Sequence, residues 1–475
     1  MEAAHFTFWP KHLTRHLTVP VTTLAFNLEV SAARYPDKSA VVFYGSVLTY
    51  AKLKHEVDLM AGFLQHRCGV RKGDRVLLDL QNAPQFIVGY YAILRADAVV
   101  VPVSPMNVTD ELEHYFEDSG ASTAIFAQDL YEQMQPLLGK QIRHAIVATY
   151  SDYLPEARVA AAPDFVAAPK QTFTDPGVVS WSDALLADYK PLAPAAQADD
   201  LAAILYTSGT TGKPKGCMHT HHTVMTTLVG GALWEGMTAD SAALATAPFF
   251  HVTGMQHSMN GFIYAGGSIV ILPRWNPEAA GALIERYRCT HWANVPTMVV
   301  DLLAHPSTQN RDLSSLQNIF GGGSSMPEAV AQKLYERCGI RYMEAYGMTE
   351  TISQTHVNPH DDLRMQCLGI PTFDTIAHVI DPDTLKPLGP NETGEIVVHG
   401  PQLMLGYWNR PEATDAAFFD MDGRRFFRTG DLGRYDEEGF YYIADRLKRM
   451  INASGYKVWP AEVEATLYKH PDIKE

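Results

Sequence analysis

At 475 residues the chain exceeds the range in which one hydrophobic core keeps growing, so two or more domains or subdomains are expected, and its 46% apolar content is ample for packed cores. Its formal net charge of −15, without a long basic block, excludes a nucleic-acid surface and membrane binding by charge alone, and obliges any polyanionic ligand to find a local positive site. Five scattered cysteines (Cys68, Cys217, Cys289, Cys338 and Cys367), a start with no apolar signal core, and no run of about 18 apolar residues read as a reduced, cytoplasmic protein without a membrane span.

Apolar spacing predicts a helix over 23–35 that stops at Pro36, a hairpin over 41–50 turning at Gly45, and a helix carrying Leu53, Val57, Met60 and Leu64 that ends at Gly69. A strand over 75–80, a helix over 84–95 and a strand over 99–103 follow, and such alternation implies a parallel sheet covered by helices. A second run of strands and helices covers 109–150, with Thr109 as N-cap of a helix through Phe116. Residues 151–200 are rich in Ala, Pro and Asp and weak in periodicity, so they read as a surface excursion linking two α/β subdomains.

The apolar run 201–206 predicts a buried strand, followed by Tyr206-Thr-Ser-Gly-Thr-Thr-Gly-Lys-Pro-Lys-Gly216. Gly209, Gly212 and Gly216 allow close backbone approach, Thr207, Ser208, Thr210 and Thr211 supply hydroxyl and amide donors, and Lys213 and Lys215 add charge, which together make a phosphate grip. It is not a Walker loop, because Gly209 and Gly212 are too close and Pro214 follows Lys213. A helix over 219–229 is expected next, then strands over 242–247 and 268–272, helices over 277–287 and 296–304, a strand over 316–320 and a helix over 327–338. Beyond Thr351, short segments at 375–380, 394–398 and 439–443 between Pro, Gly and Asp turns predict a small antiparallel β subdomain.

Three further motifs carry chemistry. In Tyr346-Gly-Met-Thr-Glu350 the Glu350 carboxylate suits Mg2+ and the Thr349 hydroxyl suits an α-phosphate, although a strand end with a capping turn has the same composition. Gly321-Gly-Gly-Ser324 lets a flat ligand lie against backbone, and a loop before a helix starting at Pro327 explains it equally. Thr429-Gly-Asp431 is background as an isolated turn and gains weight from its place 85 residues after Tyr346. His251, by itself, is more often a packed histidine at a strand end. A zinc site at Cys217, His219, His221 and His222 is rejected for want of paired ligand arms.

These motifs, in this order, resemble the adenylate-forming superfamily of acyl-CoA synthetases, luciferases and adenylation domains, most closely its medium- to long-chain fatty acyl-CoA ligases. The resemblance implies ATP, Mg2+ and CoA as cofactors and substrates. It implies that the 207–216 loop closes over the β- and γ-phosphates, with Lys213 in the catalytic set, and that Gly322, Gly323, Ser324, Glu344, Ala345 and Tyr346 border adenine and acyl group. It further implies that Thr349 and Glu350 serve the α-phosphate and Mg2+, Asp431 the ribose, Arg446 the nucleotide, Lys448 a hinge, and His251 the carboxylate pocket.

The resulting expectation is an α/β protein. Residues 1–445 form a large domain of two α/β subdomains plus the antiparallel β subdomain, and 446–475 begin a small mobile α+β domain. Thirty residues are too few for a core of their own, and the family's adenylation lysine lies in a later Gly-Lys loop, so the chain reads as a truncated form. The segments around Trp234, 255–260 and 294–297 are apolar with few charges, and no buried anion suited to an α-amino group is evident, which favours fatty acids over amino acids. Aryl or amino-acid adenylation, and non-catalytic ATP binding, are the rival readings. Peripheral membrane contact and a homodimer are both compatible with the sequence.

Overall fold

The computed structural model describes residues 3–155, 162–207, 213–446, 451–453 and 456–458. Among these, the strands form two large mixed sheets, one antiparallel sheet and a terminal hairpin, with helices on the large sheets, so the molecule is α/β as expected. The helices begin where sequence punctuation places them. Pro84, Pro277 and Pro296 occupy first helical positions in Pro84–Arg95, Pro277–Tyr287 and Pro296–Ala304, where a missing N–H costs nothing. Gly339, in left-handed conformation, ends Glu328–Cys338.

The seven-stranded sheet runs Val178–Ser180, His144–Ala148, Thr123–Ala127, Arg75–Asp79, Val99–Pro102, Leu201–Thr207, Lys215–Thr220, parallel except for the last pair. The nine-stranded sheet starts with Ile370–Pro371, Ser353–Val357, Met343–Met348, Asn318–Gly321 and His291–Asn294. It continues through Ala242–Ala245, Ser268–Ile271, Ser39–Phe43 and Ser46–Thr49. The third sheet is antiparallel and orders Ile376–Ile380, Gly394–His399, Arg424–Tyr435 and Phe418–Met421, with Tyr441–Arg446 also on Arg424–Tyr435.

One core joins the two large sheets. Pro84–Arg95 is buried from Pro84 to Leu94, as expected of a helix that is apolar all round, and Phe86, Phe249, Tyr50 and Phe262 belong to the same cluster. Across it, the Tyr91 hydroxyl donates to Asn260 Oδ1 at 2.9 Å and the Tyr50 hydroxyl to the Gly267 carbonyl at 2.7 Å.

Three expectations need correction, and one pairing lay beyond the sequence reading. Thr109 is the first helical residue rather than the cap: the Val108 amide donates to Glu111 Oε2 at 2.9 Å, while the Thr109 hydroxyl turns to the Gln133 carbonyl. Residues 151–200 do not link two subdomains. They cross from one edge of the seven-stranded sheet to the other side of that same sheet, contribute Val178–Ser180, and bury Trp181. The segment expected to open a helix at His219 is instead strand Lys215–Thr220, antiparallel to Leu201–Thr207, and the helix is His221–Trp234 because the Thr220 hydroxyl caps the Thr223 amide. Finally, the early hairpin Ser39–Thr49 joins the late sheet through Val41 opposite Ile269. No helix among the described residues is long and apolar enough to cross a membrane.

Candidate active site

Three elements converge on one edge of the molecule. They are strand Met343–Met348 with the turn Thr349–Thr351, strand Arg424–Tyr435, and the hairpin Leu201–Thr207/Lys215–Thr220. The Tyr346 hydroxyl donates to Asp431 Oδ2 at 2.8 Å, and Arg446 Nε lies 3.1 Å from Oδ1 of the same carboxylate. Three residues separated by up to a hundred positions thus share one group. Asp431 is held locally, since its amide donates to the Thr429 hydroxyl oxygen, which itself donates to the Ile396 carbonyl. Burial raises the Asp431 pKa, against the lowering effect of the Tyr346 hydrogen bond and the Arg446 charge.

Glu350 and Thr349 sit beside this group in sequence and meet the hairpin in space. The Tyr407 hydroxyl donates to Glu350 Oε1 at 2.9 Å, and the Met404 amide to the Glu350 carbonyl. His219 lies 2.8 Å through Nε2 from the Thr349 carbonyl, and burial lowers its pKa to about 4, so the neutral ring donates there. The arm Lys215–Thr220 is stitched to the third sheet's leading segment: the Trp408 amide donates to the Gly216 carbonyl, Met218 exchanges backbone bonds with Leu405 and Gly406, and Lys215 Nζ stands 4.0 Å from the Tyr407 ring centre. The other arm is tied through Asp118, which accepts from the Tyr206 hydroxyl and from Arg410, both at 2.8 Å. Asp118, Tyr407 and Arg410 escaped the sequence reading because they lie in ordinary helical or loop contexts with no motif around them, and His219 was weighed there only as a zinc ligand.

Thr207 is half-buried and Lys213 exposed at the two ends of the loop. Ser208, Gly209, Thr210, Thr211, Gly212 and Lys448 lie outside the described residues. No group of three or more His, Cys, Asp or Glu among the described residues forms a metal cage. Glu350 fits Mg2+ in the other usual way, as one carboxylate that completes its shell with nucleotide phosphate oxygens.

Strand Asn318–Gly321 leads into the glycine run. A Cβ on Gly322 would lie 2.4 Å from the Ala345 carbonyl, so only glycine lets this loop pass so close to Met343–Met348. Gly323, at φ +86°, and Ser324 are exposed. Glu344 departs from the expected nucleotide contact: its carboxylate accepts from the Met326 amide at 2.6 Å and the Cys367 amide at 3.1 Å. Both oxygens are committed to backbone, and the side chain anchors the glycine loop instead.

The AMP-binding enzyme profile matches residues 28–408. The chain belongs to the AMP-binding enzyme family. It is 35% identical to a long-chain-fatty-acid–CoA ligase of Bacillus subtilis (strain 168), over 98% of this chain and 84% of that protein. It is 33% identical to a feruloyl-CoA synthase of an Amycolatopsis species, over 92% and 82%. Among solved structures, ATP-bound MatB from Rhodopseudomonas palustris superposes with a TM-score of 0.82 at 28% identity, covering 96% of this chain and 85% of that one. A long-chain-fatty-acid-CoA ligase from Archaeoglobus fulgidus gives 0.79 at 27%, covering 98% and 90%.

In this AMP-binding enzyme the His251 ring accepts, at a long 3.4 Å, from the Thr253 amide. It keeps contact with solvent, yet the protein mass around it lowers its pKa. Behind it, Met255–Asn260 is a buried π-helical turn, a widening of the helix that recurs at functional sites. It aims Gln256 and His257 at the helix His221–Trp234: Gln256 donates to the Val224 carbonyl, and His257 Nδ1 lies 2.6 Å from Glu235 Oε1. Glu235 is a buried acidic side chain that the sequence reading did not find; its signal is an acid ending an otherwise apolar helix.

Proposed function

We propose that this AMP-binding enzyme activates a medium- or long-chain fatty acid with MgATP and transfers it to CoA. The acid's carboxylate oxygen attacks the α-phosphorus, a carboxyl–phosphate bond forms, and the bond to the β-phosphate oxygen breaks, releasing pyrophosphate. The CoA thiol sulfur then attacks the acyl carbonyl, forming the thioester and expelling AMP. Such chemistry asks the protein mainly for positioning and charge neutralisation.

Asp431 accepts from the ribose hydroxyls in this reading, with Tyr346 and Arg446 orienting it. Glu350 would hold Mg2+, which would neutralise phosphate charge, Thr349 would meet the α-phosphate, and the loop from Thr207 through Lys213 would cover the outer phosphates. Gly322, Gly323, Ser324 and Ala345 form one wall, and His251 borders the carboxylate. Lys448 is the hinge for a smaller domain beginning at 446, which turns to admit CoA. The observation that carries the proposal is the shared Asp431 carboxylate, which gathers Tyr346 and Arg446 onto one group. Relatives named long-chain-fatty-acid–CoA ligases along nearly the whole chain support the acid class. Five unpaired cysteines accord with a cytoplasmic setting.

Pyrophosphate release with MgATP across fatty, aryl and amino acids tests this, on the present chain and on one continued past Glu475. Turnover by either form is expected with fatty acids of medium or long chain. Retained ATP binding with no release from any acid would favour a non-catalytic nucleotide-binding protein.

A further inference from the structure

A small enclosed space of ≈ 10 Å³, about one water's worth, lies beside the glycine loop; Phe320 and Ala345 line one side, Gly231 and Trp234 the other. The lining is mainly apolar, with Met343 and Val357 also on it, and carries a few polar side chains. Glu235 and Gln354, at 4% and 6% exposure, both line it, and each keeps one buried acceptor, Oε2 and Oε1 respectively, with no hydrogen-bond partner. Their other polar atoms are spoken for. Glu235 Oε1 faces His257 Nδ1 at 2.6 Å, His257 Nε2 lies 2.9 Å from the Ser353 hydroxyl, and Gln354 Nε2 donates to the Thr227 carbonyl at 2.9 Å. That last bond fixes the amide so that its oxygen, not its nitrogen, is left over.

These groups converge because residue 231 has no side chain. A Cβ there would lie 3.2 Å from Gln354 Nε2, 3.4 Å from His257 Cε1 and 3.5 Å from Glu235 Oε1. The glycine therefore leaves room beside the two side chains whose second oxygens have no hydrogen-bond partner, and an unfilled buried acceptor is costly. A methyl or methylene placed against this wall would bury both oxygens for good. An oxygen-sized donor would relieve them.

We infer that the acid favoured by this enzyme carries a hydroxyl on its acyl group, received by Glu235 and Gln354. The inference rests on the ligase reading above and narrows its substrate class from fatty acids to hydroxylated ones. The Glu235–His257–Ser353 chain holds the receiving carboxylate in place, so His257 and Ser353 are positioning residues.

Isothermal titration calorimetry in the presence of AMP, with dodecanoate and its 3-, mid-chain and ω-hydroxy forms, tests the inference on the chain as it is. At least one hydroxy acid should bind about tenfold more tightly than dodecanoate, as expected when a hydroxyl satisfies two buried acceptors. Gln354→Met and Glu235→Gln, checked for folding by circular dichroism, should narrow that ratio, the methionine by improving dodecanoate binding as well. Equal affinities in the unaltered protein would assign the space to a bound water and overturn the inference while leaving the ligase reading intact. Preference for an acid bearing an ammonium group would overturn it in favour of amino acids. Failure of every acid to bind would remove both.

Discussion

Asp431 shows how much of the site one side chain holds together. It is buried, its two oxygens serve Tyr346 and Arg446, and its backbone is fixed through Thr429. Asp431→Asn keeps the shape and removes the charge. We expect ATP affinity, measured by calorimetry, to fall by a factor of about ten to a hundred, since a hydrogen bond to a charged group contributes about 1.5–3 kcal/mol. Tyr346→Phe should cost less because the ring remains; unchanged ATP binding in the asparagine variant would take Asp431 out of the nucleotide site.

His219 makes a second prediction at the same scale. Its folded pKa of about 4 lies below the ordinary value of 6.5, so between those values the unfolded chain binds the extra proton and stability declines as pH falls. The full contribution of the neutral ring is present above pH 6.5, and about 3 kcal/mol of it is lost by pH 4. His219→Gln can still donate to the Thr349 carbonyl but does not titrate. Denaturant melts should show the variant less stable at pH 7 and the gap closing toward pH 4. A gap independent of pH would mean that folding does not shift the pKa of this histidine.

The hairpin Leu201–Thr207/Lys215–Thr220 flanks the loop proposed above to cover the outer phosphates. Its second strand was not legible, because Lys-Gly-Cys-Met-His-Thr lacks clean alternation and both of its faces are covered, one by the third sheet's leading segment. Its first strand was, as an apolar run in a parallel sheet. Asp118 ties this hairpin to Arg410 and Trp408. The Trp408 indole bonds the Asp118 carbonyl and survives a side-chain change. Asp118→Ala should therefore cost about 1–2 kcal/mol, mostly the Tyr206 bond, since Arg410 is half exposed and its ion pair is weak. The diagnostic result is local: amide exchange should quicken in 201–207 and 215–220, and the KM for ATP should rise several-fold. Faster exchange spread evenly over the seven-stranded sheet would instead mark Asp118 as part of the general framework.

At the scale of the whole molecule, the two large sheets share one core around Pro84–Arg95, so they should unfold together. Scanning calorimetry is expected to show a single transition for them, and Phe86→Ala, in a fully buried position, should lower it by about 3–5 kcal/mol without splitting it. Two resolved transitions would show that the sheets are separately stable. The sequence by itself determined the identity of most helices and strands, because apolar period, proline at helix starts and glycine at helix ends are local. It also determined the phosphate-loop, Tyr346–Glu350 and Thr429–Asp431 motifs, whose residues are contiguous. Only the tertiary structure decided that Ser39–Thr49 pairs with a strand more than two hundred residues later, that 151–200 spans a single sheet, and that Glu344 turns to backbone. It alone brought Asp118 to Tyr206, Tyr407 to Glu350 and His257 to Glu235. The reason is physical: periodicity reports that a face is buried, not what buries it, and a polar side chain's partner is chosen by the packed geometry of elements that are remote along the chain.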